Sequence, residues 1–377
     1  MRTPPVPPHD QAHPERARWW RMVPRWVRPA LRLLVVGAVI EFGVLPQIAG
    51  ARESLHLLSR ISPGWLVVGV LAEAASLLAY ARLTQVTLDE RAVPYRQLLR
   101  VDLATLAVSH VVPAGTAVGV GLGYRLLTRI GVPPARAVTG KALQTVGSAV
   151  VLNLLLAGSL LLALLLHGNN PLYLPIAAAG LLLLAGTGLL SVLLVRNEAV
   201  AIHRAARFAE HIPRLDPESV RRLLTTLTST LRRLTADRDF LRRSTGWAAA
   251  NWLLDAASLW AFVRAFQHTL GPVGLLVAYG LANVAAALPI TPGGLGVVEG
   301  VLVPVLVAFD TPQGIAVLGV IAYRLISFWV PIPVGFASYA RLAYDIRHAH
   351  GLDVSAPEPP GEEPHDGASK GDPFGAC

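Results

Sequence analysis

Long apolar runs separated by short, arginine-rich segments make up most of the chain. The uncharged runs at residues 142–166 and 172–195 are each longer than the ~20 residues that a helix needs to cross a bilayer. A soluble helix keeps a polar face, so two neighbouring runs of this kind indicate membrane helices. The pattern predicts an all-α, polytopic membrane protein with about six full spans. These spans are expected near residues 33–48, 65–81, 142–166, 172–195, 247–266 and 314–340.

The apolar segment near residues 274–309 is broken at its centre. The interrupting residues are Pro289, Pro292, Gly293, Gly294 and Gly296. The arms on either side, 274–288 and 297–309, have fifteen and thirteen residues. At ~1.5 Å per residue, neither arm crosses an apolar core of ~30 Å. We therefore expect a re-entrant hairpin whose turn exposes backbone N–H and C=O groups to protein, water or cargo.

A second broken stretch, near residues 97–127, is rich in glycine and has basic segments on both sides. It should leave and re-enter the same side of the membrane. After each break, a glycine is followed at a similar distance by a proline-containing run. Gly119 precedes the run 133–138 by fourteen residues, and Gly296 precedes the run 312–317 by sixteen. An inverted repeat is one explanation. Chance similarity between segments rich in proline, alanine and valine is the other.

Arginine positions set the expected orientation. Six arginines at residues 16–32 directly precede the first span, and the loop 196–245 holds eleven arginines against six acidic residues. Positive residues favour the cytoplasmic side, so both termini and this loop should be cytoplasmic in a cell-membrane protein. The hairpin at 97–127 would then open inside and the one at 274–309 outside. Within the loop, an amphipathic helix capped by Asp216 is expected either on anionic head groups or packed on the spans.

Composition agrees with this class. Hydrophobic residues make up 53%, charged residues 15%, and the mean hydropathy is +0.50. The net charge of +9 resides in arginine-rich loops between spans, which argues against a nucleic-acid partner. The lone cysteine, Cys377, excludes a disulfide framework and a cysteine zinc site. No cofactor or metal is expected, because the signatures of zinc proteases, serine hydrolases and P-loops are missing. The membrane domain should cover residues 31–345, between disordered segments at 1–30 and 346–377.

Arg324 is the strongest candidate site residue because it lies deep within the last span. Insertion of a central arginine costs about 2.5–3.5 kcal/mol, so it needs an anionic partner or a water cavity. Glu299 is the candidate protein partner, and a lipid phosphate is the alternative. The amino end of the half-helix that begins near Gly296 also suits an anion. In the opposing interpretation, the glycines only allow helices to approach closely.

Other polar residues within spans are weaker candidates. Asn283 and Arg125 could contact cargo together with the prolines and glycines of the second break. Glu73 and Asp255 could relay protons, or could instead pair with neighbouring arginines such as Arg82 and Arg264.

The run from Pro289 to Gly300, PITPGGLGVVEG, together with Tyr323-Arg324, resembles the membrane-embedded region of the lysylphosphatidylglycerol synthase/flippase family. The resemblance covers roughly residues 30–340 and implies a multi-pass protein that handles lipids. In full-length synthases an aminoacyl transferase domain follows this region. Only 37 residues follow Ala340, so the resemblance implies the flippase half alone, without aminoacyl transfer chemistry.

The leading hypothesis is a lipid flippase or transporter whose partners are membrane lipids with anionic, phosphate-bearing head groups. One alternative is a membrane enzyme acting on a lipid-linked substrate, with Glu299, Asp255 or His268 as acid or base. Another is a non-catalytic scaffold for a separate lipid-modifying enzyme.

Overall fold

A computed structural model describes residues 61–88, 93–112, 115–167, 237–287 and 291–353, with the helical positions 178, 181, 182 and 185. Throughout these residues the regular structure is helical, which confirms the all-α prediction for this part of the chain. The elements, in chain order, are α1 (Pro63–Leu88), α2 (Tyr95–Val111), α3 (Gly115–Arg129), α4 (Pro134–His167), α5 (Arg238–Ala265), α6 (Pro272–Ala286), a 3₁₀ turn (Pro292–Gly294), α7 (Val297–Ala308), α8 (Gln313–Arg324), a π-helical turn (Leu325–Trp329) and α9 (Pro331–Asp353).

Within the described ranges, three helices are long and apolar enough to cross a membrane. They are Pro63–Leu88, Pro134–Leu166 and the continuous stretch Gln313–His348. They contain the spans predicted at 65–81, 142–166 and 314–340. Large side chains on the outer face of α4 are exposed, such as Leu154, Leu161 and Leu165 at 65%, 60% and 73%. Apolar side chains exposed to this extent on a long apolar helix suit contact with lipid.

Helix α5 begins earlier than the sequence pattern suggested. Its amino end is capped by Asp237, whose carboxylate accepts hydrogen bonds from the backbone N–H groups of Asp239 at 2.9 Å and Phe240 at 3.2 Å. Residues 238–245, assigned to the cytoplasmic loop by their charge, are therefore helical. The predicted span at 247–266 lies in α5, whose centre carries Asn251 and Asp255, and its membrane crossing stays a prediction.

The segment 274–309 is two short helices rather than one rod. Helix α6 has 15 residues and α7 has 12, and the two pack against each other. Gly293 and Gly296 adopt φ angles of 55° and 78°. These left-handed conformations cost glycine little and let the chain reverse direction. Pro289 lies outside the described residues. The first broken stretch likewise forms two packed helices, α2 and α3.

Helix packing follows a reciprocal scheme. Helices α1 and α5 form the central pair, α4 packs on α1, and α8 packs on α5. The first helix of each hairpin packs on the last helix of the other half, because α2 contacts α9 and α6 contacts α4. Two glycines allow similar close approaches. A Cβ on Gly140 would lie 2.4 Å from Leu88, and one on Gly319 would lie 2.8 Å from Val263, near the carboxyl ends of α1 and α5.

The last span bends into a π-helical turn before α9. Pro331 has no N–H to donate to the carbonyl group four residues earlier, which favours the local widening at Leu325–Trp329. Helix α9 then continues to Asp353, eight residues beyond the predicted end of the membrane domain. A contact between Arg341 and Asp345 at 3.4 Å, four residues apart on one face, stabilises the turn that precedes this extension.

Several predicted features fall outside the described residues. These are the span at 33–48, nearly all of the span at 172–195, the loop up to residue 236 with its amphipathic helix, and most of both terminal segments.

The contact between α9 and α2 gives a stability prediction. A Cβ on Gly335 would lie 2.2 Å from the Leu103 carbonyl oxygen and 2.5 Å from Ala107 Cβ. We expect Gly335→Ala to destabilise the protein by about 1–3 kcal/mol, because backbone atoms must move apart. The matched control is Gly158→Ala on α4, where no atom lies within 4 Å and alanine should be neutral or stabilising. Thermal unfolding in detergent measures both, and equal melting temperatures for the two variants would contradict this packing.

Candidate functional site

The buried ion pair between Glu299 and Arg324 is the centre of the candidate site. Glu299 lies in the first turn of α7 and Arg324 is the last residue of α8. Only 2% of Glu299 and 6% of Arg324 is exposed. Arg324 Nε donates a hydrogen bond to Glu299 Oε1. The intramembrane arginine is thus paired with Glu299, the protein partner predicted from the sequence. This pairing offsets the cost of burying the arginine.

Glu299 also caps its own helix. Its second oxygen, Oε2, accepts a hydrogen bond from the backbone N–H of Gly296 at 2.6 Å. This N–H belongs to the positive end of the α7 dipole, where an anion is stabilised. The anion expected at the break is therefore, in this conformation, the carboxylate of Glu299 itself.

An aromatic stack supports the other face of the arginine. Arg324 Cζ lies 4.4 Å from the centre of the Phe328 ring, a distance typical of a cation–π contact. The His110 ring stacks on Phe328 with a centroid distance of 4.4 Å and an interplanar angle of 17°. His110 Nδ1 also lies 3.1 Å from the Phe328 carbonyl oxygen. The π-helical turn thus places Phe328 between the guanidinium and the carboxyl end of α2.

The two broken regions meet at this stack. A Cβ on Gly293 would lie 2.4 Å from Phe328 Cε2 and 3.1 Å from His110 Cα. Only glycine fits there. Nearby, Thr291 Oγ1 and Ser327 Oγ are buried and have no hydrogen-bond partner among the described residues. Unsatisfied hydroxyl groups beside a charged pair are costly, and they are typical of places where a ligand supplies the missing partner.

Asp255 lies in a second polar cluster next to the first. Its carboxylate accepts hydrogen bonds from the hydroxyl groups of Tyr279 at 2.7 Å and Tyr323 at 2.8 Å. Glu73 is 5% exposed and lies opposite Asp255, between the α1–α5 hydrogen bonds of Ser258 to Gly69 at 2.9 Å and of Asn251 to Ser76 at 2.7 Å. Because Tyr323 precedes Arg324 in α8, the two clusters share one turn of helix.

The neighbouring arginines suggested as partners for these acids have other contacts. Arg264 Nη1 donates to Thr269 Oγ1 at 2.7 Å, and Arg82 Nη1 donates to Gln85 Oε1 at 2.9 Å. Both contacts are to uncharged neighbours on the same stretch of chain, and the alternative pairing of Glu73 or Asp255 with Arg82 or Arg264 stays a prediction.

Sequence reasoning missed a third polar cluster, in the first half of the chain. Lys141, which looked like a charged flank of the first hairpin, is 4% exposed and donates to Asp102 Oδ1 at 2.7 Å and Gln144 Oε1 at 2.8 Å. Thr84 donates to the other Asp102 oxygen at 2.6 Å. This network ties α1, α2 and α4 together with its charges matched, as a structural buried pair requires. The sequence signal for this cluster was Asp102, an acidic residue within an apolar stretch that needs a buried partner.

The remaining candidates lie apart from the ion pair or have local partners. Arg125 is exposed on α3. The Asn283 side chain donates to the Tyr279 carbonyl group of its own helix at 3.0 Å. His268 lies in the loop after α5, where partial burial and then the positive charge of Arg264 lower its pKa. No group of three metal-ligating side chains occurs in the described ranges.

Apolar helices of membrane-crossing length around buried charges define an integral membrane protein. The family model for the transmembrane region of lysylphosphatidylglycerol synthase matches residues 30–335. The chain belongs to this family, which confirms the resemblance of the run around Glu299.

Three curated relatives match shorter stretches. An uncharacterized protein of Synechocystis, slr0712, is 36% identical over 104 residues, 27% of this chain and 30% of the relative. A UPF0104 membrane protein of Methanothermobacter thermautotrophicus is 24% identical over 119 residues, 32% of this chain and 35% of the relative. The inner membrane protein YbhN of Escherichia coli is 24% identical over 95 residues, which is 25% of this chain and 29% of the relative. The matches span about a third of each relative's length and agree with a membrane location.

The ion pair can be tested by a mutant cycle. We expect Arg324→Met alone to destabilise the protein by about 3–5 kcal/mol, because it leaves the Glu299 carboxylate buried without its partner. Adding Glu299→Gln should recover much of this loss, since the buried charge is removed. Unfolding in detergent measures the four proteins of the cycle.

The matched control is the half-exposed pair of Arg100 and Asp345, at 2.8 Å with 33% and 35% of the side chains exposed. Arg100→Met should cost only about 0–1 kcal/mol. If Arg324→Met and Arg100→Met cost the same, Arg324 is not a buried charge.

Proposed function

We propose that this protein moves lipids with phosphate-bearing head groups across the membrane, with the head group inside the helix bundle and the acyl tails in the bilayer. The observation that carries the proposal is the Arg324 guanidinium, buried at the amino end of a half-helix in a broken hairpin. Half-helix ends that face polar cavities are the usual binding sites of transporters built from broken helices.

The geometry suggests an exchange of anions. In this conformation Glu299 occupies both anion contacts, the Arg324 guanidinium and the Gly296 N–H. A phosphate can make the same two contacts, because it presents several acceptor oxygens to the paired donors of a guanidinium. A head group would replace the carboxylate on binding, and Glu299 would return on release. The arginine is thus never left without an anion, which keeps the cost of an empty site low.

Reciprocal packing supports an inverted repeat. In each half a long helix (α1 or α5) is followed by a packed hairpin and then by a further long helical stretch. The first helix of each hairpin contacts the other half, and Gly140 and Gly319 make corresponding close approaches. Two halves of this kind can rock against each other and expose a central site to either side in turn.

The same scheme leads us to infer that both termini are cytoplasmic and that the two hairpins open on opposite sides. We also infer that the lipid is moved without covalent change. Membrane lipids with anionic head groups are the proposed partners, and a separate lipid-modifying enzyme is a further candidate.

Transport of a labelled phospholipid tests the site directly. In proteoliposomes, we expect Arg324→Ala to slow translocation of fluorescent phosphatidylglycerol by about 10- to 100-fold, the value of a lost charged hydrogen bond of about 1.5–3 kcal/mol. Glu299→Gln should tighten lipid binding and slow turnover, because no anion replaces the departing phosphate. Arg242→Ala, at an arginine with 81% side-chain exposure, is the control. Unchanged transport by both site variants would refute the assignment.

Cysteine labelling tests the topology. Cys377 is the only cysteine, so Cys377→Ser provides a background for single cysteines at the exposed positions Arg136 and Asp310. These positions follow the first and second hairpins. An impermeant maleimide should label the cysteine at 310 in intact spheroplasts and the cysteine at 136 only after permeabilisation. Labelling of both in intact spheroplasts would contradict the inverted arrangement.

A further inference from the structure

The cluster around Asp255 has no role in the exchange of anions described above. Four helices contribute to it: Glu73 from α1, Asp255 from α5, Tyr279 from α6 and Tyr323 from α8. Both tyrosine hydroxyl groups donate to Asp255, so each of its oxygens already has a donor. The two tyrosines therefore hold the Asp255 carboxylate with neutral donors.

Glu73 is the unusual member of this cluster. Helices α1 and α5 are joined on both sides of it, by Ser258 Oγ to the Gly69 carbonyl group at 2.9 Å and by Asn251 Nδ2 to Ser76 Oγ at 2.7 Å, and this register places Glu73 opposite Asp255. Its Oε2 is buried and makes no hydrogen bond to any described residue. Two carboxylates that face each other can only accept hydrogen bonds, so they form a bond only when one of them carries a proton. The buried Glu73 Oε2 is a position at which that proton can bind.

The charge balance links this cluster to the ion pair. Tyr323, the residue before Arg324, donates to Asp255 at 2.8 Å, so the cluster begins one residue from the guanidinium. The two adjoining clusters together hold three carboxyl groups, those of Glu73, Asp255 and Glu299, and the single guanidinium of Arg324. An entering phosphate would add to a negative excess, and Coulomb repulsion at low dielectric is strong. One bound proton offsets that excess.

We propose that Glu73 and Asp255 form a proton-binding site, and that a proton bound there accompanies the anionic head group at Arg324 across the membrane. This inference rests on the proposed transport function and adds its coupling ion. The titratable and charged groups that face this pair from the packed helices are Tyr279, Tyr323 and Arg324. Glu299 and His110 lie beyond Arg324 and act on the pair through it.

A proton suits the site better than a metal ion or sodium. In the helices described here, no three metal-ligating side chains come together. The tyrosine hydroxyl groups point their hydrogen atoms at Asp255, which fills the oxygens that a cation would need as ligands. A proton needs only one carboxylate oxygen, and Glu73 Oε2 provides it.

Transport under a pH gradient tests the coupling. Full-length protein is reconstituted in phosphatidylcholine vesicles with fluorescent phosphatidylglycerol outside and a pH dye inside. With one proton per lipid, a gradient of one pH unit, acidic outside, should raise the inside-to-outside ratio of labelled lipid about tenfold, or about 1.4 kcal/mol. Glu73→Gln and Asp255→Asn should equilibrate labelled lipid without responding to the gradient. Asp310→Asn, at an exposed acid with a left-handed backbone that asparagine tolerates, should respond like the wild type.

The outcomes separate the coupling from the transport function. Translocation by the wild type that ignores the pH gradient, or that follows a sodium gradient instead, overturns the proton site and leaves the transport function standing. Absence of any translocation by the wild type counts against the transport function.

The proton site then has a separate measurement, infrared difference spectra of the detergent-solubilised protein across a pH step. A carboxylic acid C=O band should appear in the wild type and Asp310→Asn and be lost in both Glu73→Gln and Asp255→Asn. A band that survives in both variants overturns the proposal even if they transport normally.

Discussion

The cost of placing a guanidinium inside an apolar helix bundle governs the second half of this protein. The ion pair with Glu299 offsets the cost of burying Arg324. Glu299 can reach the guanidinium only because the chain breaks at Gly296 and starts a new helix there. The broken hairpin, the π-helical turn that brings Phe328 to the guanidinium and the close packing of Gly293 all serve the same contact. Without the charge of Arg324, no interaction would offset the free-energy cost of the break in a region where lipid favours an unbroken helix.

Hydropathy and the positions of proline and glycine predicted much of this arrangement, because both act locally. Hydropathy sets the free energy of moving a segment into lipid, and proline and glycine set which backbone conformations are accessible. The three long spans and both breaks lie where the sequence placed them. The partner of Arg324 was also predictable, since Glu299 is the acid at the break. Contacts between distant parts of the chain were not. His110 and Phe328 are 218 positions apart, and nothing in either segment indicates the other. Lys141 was misread because a basic residue at the end of an apolar run looks like a solvated flank until its partner Asp102 is placed.

The two halves use buried charge in different ways. Asp102, Lys141, Gln144 and Thr84 satisfy one another completely, and such a closed network fixes three helices without inviting a ligand. The second half leaves the Thr291 and Ser327 hydroxyl groups and one Glu73 oxygen without hydrogen bonds among the described residues. If the halves descend from one repeat, the first has become a fixed support, and the second has kept the unpartnered polar groups that the proposed transport would use.

Under the proposed exchange of anions, the carboxylate of Glu299 also limits how tightly cargo can be held. A transporter must release what it binds, and a guanidinium with an amide at a helix end would hold phosphate strongly in a low-dielectric interior. Glu299 competes for both donors, so the free energy of binding is only the difference between phosphate and carboxylate contacts. Competition of this kind favours turnover over affinity. It also explains why a carboxylate lies at the point of the fold where an empty anion site would otherwise be expected.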